Sequence, residues 1–220
     1  MLGFDVYGTL FDVASVEDKV HKFAGENARQ ISAMWRSKQL EYSFRRALMK
    51  RHADFSVCGE QALEYAFAYH QCALSGRQKD ELLAVYSHLP LFPDVLSTLE
   101  NLGALQCSMY AFSNGSAESI EALLERAGIR GYFTDVVSAE EVSSFKPDPT
   151  LYGHFMEKTK AQRDDAWLIS CNAFDIIGAV SFGMKAAWIR RNESDVFDPW
   201  EIQPTSTLKS LSEIENALRS

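Results

Sequence analysis

Four short stretches of the chain carry side chains whose type and spacing could do chemistry. In Gly3-Phe4-Asp5-Val6-Tyr7-Gly8-Thr9-Leu10 a short apolar lead delivers a carboxylate, Gly8 breaks the strand, and Thr9 offers a hydroxyl four residues after the acid. A carboxylate at a strand's carboxyl end stands where open α/β sheets place their reacting groups. Ala111-Phe112-Ser113-Asn114-Gly115-Ser116 sets a hydroxyl and an amide just before a helix N-terminus, where free N–H groups and the helix dipole favour an anion. Ser144-Phe145-Lys146-Pro147-Asp148-Pro149 braces a cation with two following prolines that forbid regular structure. Ile169-Ser170-Cys171-Asn172-Ala173-Phe174-Asp175 gathers a hydroxyl, an amide and a second acid at a strand-to-helix junction. Plainer uses suit the same residues: Asp5 as a turn or cap, Ser113 and Asn114 as caps, Lys146 as a solvated charge, Asp175 as a first-turn acid.

Alternating strands and helices must position these groups. Residues 105–112, 133–137, 166–170 and 185–189 read as strands; 116–127, 150–160 and 174–181 read as helices, and Leu208, Leu211, Ile214 and Leu218 as a closing helix. That pattern predicts an α/β fold with a mostly parallel sheet covered on both faces. The strand before Asp5 must join it, because a lone strand leaves its backbone groups unpaired. Residues 14–92 have helical periodicity instead, as in Ile31, Met34, Trp35, Leu40, Phe44, Ala47 and Leu48. They read as a helical cap inserted into a core made of residues 1–13 and 93–220. The polar stretch from Arg191 to Ser206, with Pro199 and Pro204, reads as a surface loop.

Composition narrows the function classes. The chain has 220 residues, 46% hydrophobic and 24% charged, enough for a sizeable core. Its net charge of −8 argues against nucleic acid or an anionic membrane as the main partner. Cys58, Cys72, Cys107 and Cys171 form no CxxC pair and read as reduced structural thiols. No run approaches the ~18 apolar residues of a membrane span, and the start so close to the first strand leaves no room for a signal peptide, so a cytoplasmic location is expected.

Taken together, the four stretches resemble the motifs of the haloacid dehalogenase superfamily: an Asp nucleophile, a Ser/Thr, a Lys and an acidic loop, in that order. With Trp35-Arg36-Ser37-Lys38-Gln39-Leu40-Glu41-Tyr42 and with Tyr152 six residues after Lys146, they resemble its L-2-haloacid dehalogenases more narrowly. The resemblance implies a Rossmann-like core, no cofactor, no metal, a homodimer, and hydrolysis of L-2-haloacids to D-2-hydroxy acids with release of halide. It also implies the roles. Asp5 is the nucleophile, Thr9 and Lys146 orient it, Tyr152 is an active-site tyrosine, and Asp175, positioned by Ser170 and Asn172, takes a proton from water. Arg36, Asn114 and Phe174 receive the halide, Ser113 with neighbouring N–H groups receives the substrate carboxylate, and Tyr7, Leu40 and Phe55 line an alkyl pocket. The superfamily's phosphatases carry a second Asp where Tyr7 stands, as general acid and base for an alcohol leaving group. A halide leaves without a proton, so Tyr7 favours dehalogenation over a metal-dependent phosphatase; the kept acids and lysine speak against an idle binding module. Three departures stand out: the four-residue lead before Asp5, which predicts a stunted first strand or a misassigned start, Phe174 where the family often has Trp, and Ser37 where it often has Gln.

Overall fold

The computed structural model describes residues 1–219. Six strands, β1 (Leu2–Phe4), β2 (Met109–Ser113), β3 (Asp135–Ser138), β4 (Trp167–Ser170), β5 (Lys185–Ile189) and β6 (Ser206–Leu208), make one sheet in the order β3-β2-β1-β4-β5-β6. Every neighbouring pair is parallel. The chain builds one side of β1 through β2 and β3, then returns to its other side through β4, β5 and β6. The order reverses around β1, so the crevice beyond its carboxyl end is the place such sheets keep for ligands. β2 and β4 are buried along their whole length, as a parallel sheet covered on both faces requires.

The described residues also hold nine α-helices, with short 3₁₀ turns between them: α1 (Val16–Ala24), α2 (Ala28–Leu48), α3 (Phe55–Tyr69), α4 (Gly76–Leu83), α5 (Val95–Ala104), α6 (Ala117–Arg126), α7 (Pro149–Thr159), α8 (Ala173–Phe182) and α9 (Ile214–Arg219). The first four lie in the long excursion between β1 and α5, where α2 packs against both α1 and α3. The buried stripe of α2 is Ala28, Ile31, Trp35, Gln39 and Ser43. It keeps the expected period but takes in two polar residues, while Leu48, counted among the apolar repeat, is 86% exposed at the helix end. Trp35 anchors the pair by donating its indole N–H to the Gly59 carbonyl of α3 at 2.8 Å. The excursion leaves and rejoins the sheet side by side: Phe92 N–H donates to the Leu10 carbonyl (3.0 Å) and Asp12 N–H to the Pro90 carbonyl (2.8 Å).

The structure corrects three expectations. Residues 105–108 are not strand: α5 runs to Ala104, and Gln106 turns the chain in the left-handed region at φ 57° before β2 begins at Met109. The expected loop 191–206 ends in a strand, β6, and Leu208 belongs to that strand rather than to the closing helix, which consists of a short 3₁₀ turn at Leu211–Glu213 followed by α9. Ser-Thr-Leu at a sheet edge has neither the length nor the apolar run that marks a strand in sequence. With its short lead, β1 is three residues long, and it is central, paired on both sides by β2 and β4.

Candidate active site

Each of the four stretches ends at the same side of the sheet. Asp5 follows the last residue of β1, Ser113 and Ser170 are the last residues of β2 and β4, and Lys146 lies between β3 and α7. Gly8 makes the turn after Asp5 possible: its φ of 88° is open to glycine, and a Cβ there would meet the Cys171 sulfur at 3.0 Å. The turn brings the Thr9 hydroxyl back to Asp5, donating to Oδ2 at 2.8 Å. That hydroxyl in turn accepts the Cys171 N–H at 2.9 Å, which fixes its proton on the carboxylate. The Asn172 amide is the second donor to Asp5 Oδ2, also at 2.8 Å.

Lys146 is 1% exposed, and all three of its ammonium protons have acceptors. Nζ lies 2.8 Å from Asp175 Oδ2, 2.7 Å from the Phe112 carbonyl and 3.4 Å from Asp5 Oδ1. Its backbone is fixed as well, by donation to Asn114 Oδ1 at 2.8 Å and by Asp148 capping α7 with Pro149 at its first position. Asp175 is fully buried in the first turn of α8. Its Oδ1 accepts the Tyr152 hydroxyl at 3.0 Å. Burial lifts the Asp175 carboxyl to about 6; the Lys146 charge pulls it down and the Asp5 charge pushes it up. The Tyr152 phenol is raised well above its ordinary value, first by burial and then by Asp175, so it stays a donor.

One expected relation changes. Ser170 and Asn172 do not hold the Asp175 carboxylate: the Asn172 side chain goes to Asp5, the Ser170 hydroxyl accepts the Asn172 N–H at 3.0 Å, and Lys146 and Tyr152 hold Asp175. The loop order reads equally well either way in sequence.

Ser113 and Asn114 are buried beside this centre, with the Ser113 hydroxyl accepting Gly115 N–H at 3.1 Å. Tyr7 packs against Phe55 (ring centroids 6.3 Å) and Tyr86 (6.0 Å), and its phenol is raised by burial ahead of Tyr86 and Asp5, so it is neutral. Arg36 donates to Gln39 Oε1 at 3.1 Å, and its charge is felt by Tyr7, Tyr86 and Cys171. Phe174 packs edge-on against Phe44 of α2 at 5.1 Å, joining α8 to the helical excursion. Leu40 is half-buried against the core. A cavity of about 500 Å³ reaches this region: Tyr7, Gln39, Phe55, Tyr86 and Gly115 line it, whereas Asp5 does not.

Sequence reasoning missed Gln39, Tyr86, Cys171 and Arg191. Arg191 donates to the Thr9 carbonyl at 2.5 Å from a segment read as surface loop. Its only sequence signal is a position two residues past the end of β5, on the sheet side that carries the other groups.

These residues do not fit a divalent cation. Tyr7 presents a neutral phenol and Ser170 a hydroxyl, Asp175 is turned onto Lys146 and Tyr152, and a cation at Asp5 would sit against the Lys146 ammonium. Among the described residues no three His, Cys, Asp or Glu side chains gather as metal ligands.

Known proteins share this architecture. A family model for haloacid dehalogenase-like hydrolases matches residues 2–183. (S)-2-haloacid dehalogenase 2 of Pseudomonas sp. (strain CBS-3) is 35% identical over 98% of this chain and 93% of its own length. The (S)-2-haloacid dehalogenase of Pseudomonas sp. (strain YL) is also 35% identical, over 96% of this chain and 90% of its own. The L-2-haloacid dehalogenase from Xanthobacter autotrophicus, solved with chloropropionic acid covalently bound, superposes with a TM-score of 0.91 at 28% identity, covering 100% of this chain and 98% of that one. With the model spanning most of its length and relatives a third identical from end to end, the chain belongs to the haloacid dehalogenase-like hydrolases, on their (S)-2-haloacid dehalogenase branch.

Proposed function

We propose that the chain hydrolyses L-2-haloalkanoic acids to D-2-hydroxy acids through an ester on Asp5. The observation that carries this reading is the uneven dressing of the Asp5 carboxylate. Oδ2 holds two 2.8 Å hydrogen bonds, from Thr9 and Asn172, while among the described residues Oδ1 has only the Lys146 ammonium at 3.4 Å. Oδ1 therefore keeps a lone pair for attack on carbon 2, in line with the carbon–halogen bond, and displaces halide with inversion. Arg36, the Asn114 amide and the positive rim of Phe174 receive the departing halide. Ser113 and the N–H groups of the following turn hold the substrate carboxylate, and Tyr7, Leu40 and Phe55 enclose its alkyl group.

Water then attacks the ester carbonyl of Asp5, not carbon 2, so a single inversion remains. Asp175 accepts the proton: two of its roughly four acceptor sites are taken by Lys146 and Tyr152, and a carboxyl titrating at about 6 is a competent base near neutral pH. Tyr152 and Lys146 keep Asp175 aimed, and the Ser170 hydroxyl supports the Asn172 backbone that orients Asp5. When Asp5 loses its charge on esterification, Lys146 keeps its ion pair with Asp175.

Residues 14–92 act as a helical cap closing over a core of 1–13 and 93–220; the Phe44–Phe174 contact and the packing of Tyr7 on Phe55 favour that division. Among the described residues no helix is long and apolar enough to cross a membrane. We assign a cytoplasmic location and a homodimer on the resemblance to the family.

Chloride release from each enantiomer of 2-chloropropionate, measured with a chelator present, tests the reading. Release from the S enantiomer alone is expected. If neither enantiomer reacts while phosphate esters do, the reading fails.

A further inference from the structure

Beyond the groups that face the substrate, one partly buried ion pair grips the nucleophile turn from behind. Arg191 is 11% exposed and Asp94 17%. One guanidinium nitrogen of Arg191 lies 2.9 and 2.7 Å from the two carboxylate oxygens of Asp94; the other donates to the Thr9 carbonyl at 2.5 Å. The guanidinium also lies 4.0 Å from the centre of the Phe92 ring. Asp94 is itself fixed by the Ser210 hydroxyl (2.7 Å) and the Leu211 N–H (2.8 Å).

The Thr9 carbonyl needs this partner. Among the described residues no backbone N–H donates to it, and the positive φ of Gly8 turns the chain out of any ladder that could supply one. Thr9 is also the residue whose hydroxyl bridges Asp5 and the Cys171 N–H. The same guanidinium touches both chains of the crossing between sheet and excursion, residues 9–12 through Thr9 and residues 90–92 through Phe92, which are already joined by two backbone bonds.

We propose that Arg191, held by Asp94, is a positioning residue: by fixing the Thr9 carbonyl it sets where the Thr9 hydroxyl meets Asp5, and it ties that geometry to the crossing into the helical excursion. The pair makes no contact with Asp5 and acts only through Thr9. The consequence for turnover rests on the dehalogenase reading.

A guanidinium fork that holds an acid and a carbonyl at once is not replaced by a point charge. Arg191→Gln therefore lowers kcat for S-2-chloropropionate, since a displacement near an ångström in a reacting group costs on the order of a hundredfold. KM moves less than about threefold, because no substrate contact is lost. Millimolar ethylguanidinium restores part of the lost kcat, and Arg191→Lys and Asp94→Asn fall between wild type and Arg191→Gln. Should Arg191→Gln not fold, those two variants carry the test with the same ordering. Rates are normalised to folded protein, so a purely structural pair predicts lost stability with kcat within about twofold of wild type and no response to ethylguanidinium, and that result overturns the proposal. Deuterium exchange supplies a readout that needs no turnover: Arg191→Gln speeds exchange in residues 6–12 and 90–92, and unchanged exchange there overturns the clasp. If wild-type enzyme releases no chloride, the dehalogenase reading falls, and the exchange measurement alone decides the clasp.

Discussion

Removing the Tyr152 hydroxyl should separate two consequences of one hydrogen bond. In Tyr152→Phe the buried Asp175 keeps Lys146 but loses the 3.0 Å donor on Oδ1. A hydrogen bond to a charged buried group contributes about 1.5–3 kcal/mol, and the oxygen left behind lies in a fully buried position. The cost is largest when Asp175 is ionised, because a charged acceptor loses more than a neutral one, and that fixes its direction with pH. The native carboxyl titrates at about 6, above its ordinary value, so the stability from its neutral form is full below about pH 4 and is lost as pH rises through 6. Without Tyr152, whose bond pulls that carboxyl down, it rises further; a loss of about 1.4 kcal/mol moves it by roughly one pH unit. Urea unfolding should show Tyr152→Phe destabilised by about 1.5–3 kcal/mol at pH 8 and by clearly less at pH 4. Since Asp175 must be ionised to accept a proton, the acid limb of chloride release should move from about pH 6 to about pH 7, so the activity deficit narrows toward alkaline pH. Equal destabilisation at both pH values together with an unmoved acid limb would refute the assignment of Tyr152 as the donor that tunes Asp175.

Lys146→Met leaves Asp5 and Asp175 buried with no cation between them, and should lower unfolding free energy by about 3–5 kcal/mol at pH 8 in urea titration; a loss under about 1 kcal/mol contradicts the buried triad. Gly178→Ala would place its Cβ 2.8 Å from Pro147 Cβ and well inside contact of the Tyr152 hydroxyl, neither of which can swing away, so it should cost about 1–3 kcal/mol of stability and shift the acid limb in the same direction as Tyr152→Phe. Phe174→Ala removes the ring that joins α8 to Phe44 and, in the proposed chemistry, the aromatic edge at the halide; kcat for chloride release should fall while Asp5 esterification, followed by mass spectrometry, slows in proportion. Fast esterification with slow turnover would place Phe174 in the second step instead.

The sequence announced the centre because Gly and Pro punctuate it. Gly8 after Asp5 marks the end of β1, Pro147 and Pro149 after Lys146 mark the entry to α7, and β2, β4 and β5 follow as apolar runs. Partner choice was harder to read. Asn172 reaches Asp5, 167 residues away in sequence, rather than its near neighbour Asp175, and nothing in the local pattern shows that choice. Arg191 lies 182 residues from Thr9, and its partner Asp94 resembles an ordinary residue at a helix start, so neither pattern nor spacing links them. β6 escaped for a different reason: three residues at a sheet edge owe their strand form to β5 beside them rather than to their own propensity.

The covalent step is tested most directly by one turnover in H₂¹⁸O with enzyme in excess over S-2-chloropropionate. Attack by Asp5 leaves its own carboxylate oxygen in the product and takes the solvent label into Asp5, so the 2-hydroxypropionate first formed should be unlabelled and the peptide containing Asp5 should gain one heavy oxygen. Label in that first product, with an unlabelled Asp5 peptide, would mean that water attacks carbon 2 directly and would contradict the account.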